Sequence, residues 1–194
     1  MLSIVIPTLN EGEQIVTALL AARAAAPGSE LIVADGGSSD GTPELAAPYA
    51  HVVSTRRGRA RQMNAGAALA HGRVLLFLHA DTRLPPDTLP LIMGALRTRR
   101  VLGGGFGLRF DEPGRLYDMI AWSTTLRSQL GRGFTGDQAM FVRTATFRSM
   151  GGFADIPLME DIEFARRLRA MGEVRVLAPP VLVSARRHRR HGGD

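Results

Sequence analysis

The sequence predicts an α/β fold, a mostly parallel sheet with helices on both faces and a mixed C-terminal half, and three observations carry that prediction. Residues 2–6, 31–34 and 74–78 are almost wholly apolar runs with the length of strands buried on both faces. Each run switches abruptly to polar residues: Thr8, Asn10 and Glu11 after the first, Asp35 after the second, His79 and Asp81 after the third. Segments with helical spacing separate the runs, the β-α rhythm of a parallel sheet. Ligands of open α/β sheets bind at the carboxyl edge of the strands, and three strands here bring polar groups to that edge. Carboxylates gathered there, with Gly-rich and Arg-rich loops between them, suit a metal-bound nucleotide diphosphate.

Taken in order, the first strand is followed by a helix over residues 11–25, with Ile15, Ala18, Leu19 and Ala22 on one face and Pro27-Gly28 as its stop. A strand over 30–34 leads into Asp35-Gly36-Gly37-Ser38-Ser39-Asp40-Gly41-Thr42, too rich in Gly and Ser to be core. A short helix from Pro43, a strand over 51–54, a basic loop over 55–59 and a helix over 60–70 precede the strand at Val74. Pro85-Pro86-Asp87 opens a helix to about residue 97 whose Leu89, Ile92, Met93 and Leu96 share a face. From Val101 the rhythm changes to a glycine-rich strand over 101–110, a helix over 114–130 and a strand over 137–143. After the turn at 151–153, residues 160–171 read as a helix with Ile162, Ala165 and Leu168 inward, and a strand pair at 174–177 and 181–184 ends the pattern.

At 194 residues the chain reads as one domain, large enough to bury a core without disulfides or structural metal. It has no cysteine, which excludes a disulfide, a cysteine zinc site and a thiol nucleophile and makes the reducing cytoplasm the expected compartment. Met1 leads directly into a strand, so no secretory signal is expected, and no apolar run is long enough to span a bilayer. The net charge of +6 rests on arginine alone, whose planar fork suits phosphate. Few aromatics and dispersed arginines argue against a nucleic-acid partner.

Asp81, at the end of a buried strand, is the metal candidate, because magnesium or manganese takes one or two carboxylates and completes its shell with water and phosphate oxygens. The plainer reading is a cap, and the neighbouring His79 reads either as a supporting group or as a packed core histidine. Asp35 and Asp40 flank a Gly-Gly-Ser-Ser run that lets backbone approach a ligand, although Asp-Gly pairs are also ordinary turns. The absence of G-x-G-x-x-G and of a Walker A lysine counts against a dinucleotide enzyme and a P-loop NTPase. Glu160-Asp161 opens a helix, where acidic residues complement the dipole, and a carboxylate so placed can also take a proton. Gly136-Asp137-Gln138 can supply polar contacts to a substrate sugar, on the donor or the acceptor.

With those residues in place the chain resembles the family-2 glycosyltransferases. The match runs from Ile4-Val5-Ile6-Pro7-Thr8-Leu9-Asn10-Glu11 through residues 35–42, His79-Ala80-Asp81 and Gly136-Asp137-Gln138 to Glu160-Asp161, nearly the whole chain. The segment 58–64 is most similar to a small bacterial subgroup found beside radical-SAM or selenium-related genes. The resemblance implies a Rossmann-type GT-A fold and metal-dependent, inverting transfer of a sugar from a UDP- or GDP-type donor to an acceptor hydroxyl. Residues 1–98 would form the nucleotide-binding half and 99–194 the acceptor and catalytic half. It also implies that Pro7, Thr8, Asn10, Glu11, Asp35, Asp40, Arg57, Arg59 and Ala80 bind the nucleotide sugar. Gly136, Asp137 and Gln138 would meet acceptor or donor sugar, Asp81 would hold Mg2+ or Mn2+, and Asp161, with Glu160 beside it, would be the catalytic base. Two departures stand out: His79 occupies the first position of the family's D-x-D element, and Ser184-Ala185-Arg186-Arg187-His188 lies where the family has Gln-x-x-Arg-Trp. The basic end at Arg186, Arg187, Arg189 and Arg190 is expected either to be a solvated tail or to approach donor phosphates or an anionic membrane holding a lipid-linked acceptor. The alternatives are a nucleotidyltransferase and a non-catalytic nucleotide-sugar binding protein.

Overall fold

The computed structural model describes residues 1–129 and 133–185, so the basic end from Arg186 onward lies outside the described residues. Strands β1 (Leu2–Thr8), β2 (Glu30–Asp35), β3 (His51–Ser54) and β4 (Val74–Phe77) alternate with helices α1 (Ile15–Ala25), α2 (Thr42–Ala46) and α3 (Arg59–Leu69). Then follow β5 (Thr82–Arg83), α4 (Thr88–Ala95), β6 (Val101–Phe110), α5 (Arg115–Gln129), β7 (Phe141–Arg143), α6 (Thr144–Ser149), α7 (Glu160–Met171) and β8 (Glu173–Val183). They form one sheet in the order β3-β2-β1-β4-β7-β6-β8-β5. The three pairings among the first four strands are parallel, and β7 enters antiparallel to both β4 and β6. The chain steps outward from β1 to β2 and β3, then returns to the far side of β1 as β4. That reversal opens a crevice beyond the carboxyl ends of β1 and β4.

Period-2 alternation divides the strand side chains between two cores. Ile4, Ile6 and Leu76 pack with Ile15 and Leu19 of α1 and Ile92 of α4 on one face. On the other, Val5, Leu75 and Phe77 pack with Met63 of α3 and with Phe147, Phe153, Phe164 and Leu168. In this second core Phe77, Phe147, Phe153 and Phe164 form a ring cluster with centroid separations of 4.7–5.4 Å. The cluster clamps α7 against β4, and edge and tilted contacts of this kind add to the area each ring buries.

The expected elements are all present in the first half, with shifted ends. Residues 11–14 form a turn and α1 starts at Ile15; α4 starts at Thr88, beyond its prolines. Three expectations change in the second half. Residues 136–138 are a single 3-10 turn rather than strand, closed by a reciprocal box between Thr135 and Gln138, and only Phe141–Arg143 pairs in the sheet. The expected strand pair is one strand, β8, running parallel to β6 with a register shift between Phe106 and Leu108 opposite the Ala178-Pro179-Pro180 segment. Proline has no N–H to give the ladder, so pairing lapses there and resumes at Leu108 and Val181. On α7, Phe164 is buried where Ile162 was expected and Ile162 is half-exposed, because the helix packs against the ring cluster. In the middle of the sheet, a side chain at Gly104 would collide with the Arg175 carbonyl of β8, which explains the glycine run in β6. Among the described residues no helix is long and apolar enough to cross a membrane.

Candidate active site

The crevice is a cleft of about 810 Å³ at the carboxyl edge of the sheet. Pro7, Thr8 and Glu11 line it from the end of β1, Arg57 and Arg59 from the loop into α3, His79 and Asp81 from the end of β4. Gly136 and Asp137 come from the 3-10 turn and Asp161 from the first turn of α7, so Pro7 and Asp161, 154 positions apart in sequence, share one wall. Nine of the residues expected to bind or react therefore converge: Pro7, Thr8, Glu11, Arg57, Arg59, Asp81, Gly136, Asp137 and Asp161.

Asp35 sits behind this wall rather than on it. Register places Thr8, Asp35 and Ser54 side by side on adjacent strands. The Asp35 carboxylate is buried and accepts from the Thr8 hydroxyl at 3.0 Å, the Ser38 hydroxyl at 2.5 Å, and the Gly37 and Ser38 N–H groups at 2.9 and 2.8 Å. Burial pushes this carboxyl up, but the hydrogen bonds from Ser38, Gly37 and Thr8 favour the charged form more strongly and hold it below the ordinary aspartate range. Asn10, in a left-handed conformation at φ 55, and Asp40 stitch the loop over 36–42 to the end of β1. The Asn10 N–H donates to the Ser38 hydroxyl at 2.8 Å and its Oδ1 accepts from the Ser39 N–H at 2.9 Å. Asp40 accepts from the Thr42 hydroxyl at 2.5 Å and from the Gly12 N–H at 2.8 Å, and these bonds lower its pKa. Both residues shape this loop without lining the cleft.

Gln138 is fully buried and its amide is engaged at both ends: it donates to the Phe106 carbonyl at 3.0 Å and accepts from the Ser128 hydroxyl at 2.8 Å. It anchors the 3-10 turn to β6 and α5. Ala80 lines a smaller adjoining hollow of about 250 Å³, which shares Asp81 with the main cleft. Glu160 is buried, with Oε1 3.6 Å from the Arg59 Nε. Asp161 Oδ2 accepts from the Gly136 N–H at 2.5 Å and Oδ1 from the Ile162 N–H at 2.7 Å, so its carboxylate is held in one orientation at the cleft wall. Asp161 does not cap α7; Met159 occupies the cap position, at φ 63.

Gln62 carries a role that sequence reasoning missed. It is buried on α3 and donates from Nε2 to the Thr8 carbonyl at 2.7 Å and the Ala34 carbonyl at 3.0 Å, tying the ends of β1 and β2 together under the cleft. The available signal was a polar residue beside Ala60, Met63 and Ala67 on the buried side of a helix. Pro157 also lines the cleft without having been singled out, and so does Ser184, which opens the segment lying where the family has Gln-x-x-Arg-Trp.

Among the described residues no three His, Cys, Asp or Glu side chains converge into a metal cage. One carboxylate in an open cleft, Asp81, instead fits a hard divalent cation shared with a ligand's phosphate oxygens and water.

Residues 3–154 match the model of a family described as glycosyl transferase family 2. Among curated proteins, a PGL/p-HBAD biosynthesis glycosyltransferase of Mycobacterium bovis (strain BCG / Pasteur 1173P2) is 31% identical over 208 residues, covering 97% of this chain and 74% of the relative. The protein of that name from Mycobacterium tuberculosis (strain ATCC 25177 / H37Ra) matches to the same extent. Among solved structures, the mannosyltransferase PcManGT from Pyrobaculum calidifontis, in complex with GDP-Man and Mn2+, superposes with a TM-score of 0.72 at 22% identity. The match covers 94% of this chain and 56% of that one. S. aureus TarS 1-349 in complex with UDP-GlcNAc gives a TM-score of 0.72 at 17% identity, over 94% of this chain and 58% of that one. The chain thus spans less than two thirds of these structures, and the similarity shows a shared GT-A fold.

Proposed function

The chain belongs to glycosyl transferase family 2, and on that premise we propose that it transfers a sugar from a nucleotide-diphosphate donor to an acceptor hydroxyl, with inversion at the anomeric carbon. The observation that carries this reading is the convergence of Asp81, Asp161, Arg57 and Arg59 on one cleft at the strand-order reversal. Names of relatives and neighbours support it: GDP-Man and UDP-GlcNAc are the ligands in the two structures compared above.

In this proposal the nucleoside lies against Pro7, Thr8 and Glu11, on the platform that Asp35 and Gln62 stiffen from behind, within the half formed by residues 1–98. Arg57 and Arg59 face the diphosphate and offset the charge that grows on it as the glycosidic bond breaks. Asp81 would hold Mg2+ or Mn2+, which supplies further charge stabilisation to the leaving group. Asp161, in the half formed by residues 99–194, takes the acceptor's hydroxyl proton as its oxygen attacks from the face opposite the diphosphate. One displacement inverts the configuration. The two backbone N–H groups on Asp161 fix the carboxylate so that no rotamer search precedes proton transfer.

A thermal-shift panel of UDP- and GDP-sugars with and without Mn2+ tests this reading, because a ligand that binds only the folded state raises the unfolding midpoint. Stabilisation by at least one nucleotide sugar, enhanced by Mn2+, is expected. No stabilisation by any of them would remove the donor assignment.

A further inference from the structure

His79 breaks the family pattern at the first D-x-D position, and the structure gives it a distinct set of contacts. Its side chain is buried at the end of β4, and its Nδ1 lies 3.0 Å from Asp137 Oδ1. A carboxylate only accepts, so Nδ1 carries the hydrogen and donates. Nε2 is buried and has no hydrogen-bond partner among the described residues. It faces Gly136: a Cβ added there would stand 2.7 Å from Nε2, 2.8 Å from Cε1 and 3.4 Å from Asp161 Oδ2. The imidazole edge therefore lies directly beneath the Gly136 Cα, whose own N–H donates to Asp161 Oδ2 at 2.5 Å. The far end of the same turn is pinned by Gln138 to Phe106 and Ser128.

We propose that His79 is a positioning residue for Asp161: it holds Asp137 through Nδ1, supports Gly136 with the opposite ring edge, and so fixes the N–H that orients the Asp161 carboxylate. This proposal rests on the reading of Asp161 as the base for its catalytic consequence, but not for its geometry. A ring anchored at one nitrogen and packed at the other sets both the rotation and the height of a three-residue turn. Asparagine at position 79 can place an amide N–H near the Nδ1 position, whereas glutamine reaches toward the Nε2 position. The two amides therefore separate the anchoring bond from any direct contact that Nε2 makes with a ligand.

The test uses the full chain and two readouts. Amide hydrogen exchange at Gly136 reports the anchor without any substrate; it is expected to speed up at least about tenfold in His79→Ala and His79→Gln and to return to within about threefold of the parent in His79→Asn. Release of UDP from UDP-GlcNAc or GDP from GDP-Man, with water as acceptor, is expected to lose about 10- to 100-fold in kcat in His79→Ala. UDP affinity in the presence of Mn2+ should stay within about threefold. Asp137→Ala, which leaves the ring in place, should reproduce both effects and serves if His79→Ala fails to fold. Unchanged Gly136 exchange in His79→Ala or Asp137→Ala would overturn the proposal. Rescue by glutamine but not asparagine, together with weakened UDP binding, would also overturn it and assign Nε2 to the ligand. If Asp161→Asn retains turnover while Gly136 exchange follows the expected pattern, the anchor stands and the base assignment falls.

Discussion

The Thr8 hydroxyl donates to the Asp35 carboxylate at 3.0 Å, joining the carboxyl ends of β1 and β2 at one wall of the cleft. Around that bond the carboxylate gathers three more donors from Gly37 and Ser38. The site is therefore a stiff platform before any ligand arrives.

Asp35→Asn is expected to lower stability at neutral pH by about 1–3 kcal/mol, because one accepting oxygen becomes an NH2 facing donors. The sign with pH follows from a folded-state pKa below the ordinary 3.8. The carboxylate's contribution is fully present above that value and is lost as pH falls through the lower folded value. Unfolding midpoints of parent and variant, measured in steps toward acid, should converge below pH 3.8. A gap that stays constant into acid would show that the charge of Asp35 contributes nothing.

Asp161→Asn should cut transfer by about 10²- to 10⁴-fold while leaving donor affinity within a few-fold, because an amide cannot take a proton. Glu160→Gln is the paired control: Glu160 is buried toward Arg59 and does not line the cleft. UDP or GDP release and calorimetry on both variants decide the assignment. If the Glu160 change alone stops turnover, the base moves one residue.

For the metal, Asp81→Ala should abolish the gain in UDP or GDP affinity that Mn2+ or Mg2+ confers, with affinity in chelator unchanged. Calorimetry in the two conditions reads this directly. An equal metal gain in the variant would place the cation elsewhere.

Gln62→Leu keeps size but removes the side-chain donor that the Thr8 and Ala34 carbonyls share, leaving Thr8 the Gly36 N–H at 2.9 Å. A loss of about 1–3 kcal/mol is expected, or roughly 2–4 °C of midpoint per kcal/mol for a chain of this size. Nucleotide affinity should fall as well, since the ends of β1 and β2 are then held only by the sheet register and the Thr8–Asp35 bond. Chemical denaturation with and without UDP measures both.

Much of this was legible in the chain itself. Buried parallel strands read as continuous apolar runs, so residues 74–78 and their polar successors mark β4 and the cleft edge in the sequence alone. Helical spacing likewise placed α7 at residues 160–171, and a glycine-rich strand pattern placed β6 at 101–110, to the residue. Segments 136–138 and 173–183 resisted because their conformation is set by distant partners. The first is held by His79, Phe106 and Ser128, and the second pairs with β6 around two prolines. Local propensity carries no record of such contacts.

The sequence by itself determined the class of fold, the strand ends that bear Thr8, Asp35 and Asp81, and the family, because these rest on local patterns and short motifs. Only the tertiary structure decided which of those residues face the cleft and which brace it. Asp35 and Asp40 carry the same carboxylate as Asp81, Asp161 and Asp137, and Gln138 an amide beside Asp137, yet their hydrogen bonds run within the scaffold or the loop. Side-chain direction at a strand end or turn depends on which neighbours the packed chain brings within about 3 Å. Those neighbours lie 27 residues away for Asp35 and Thr8, 58 for His79 and Asp137, and 25 for Gly136 and Asp161.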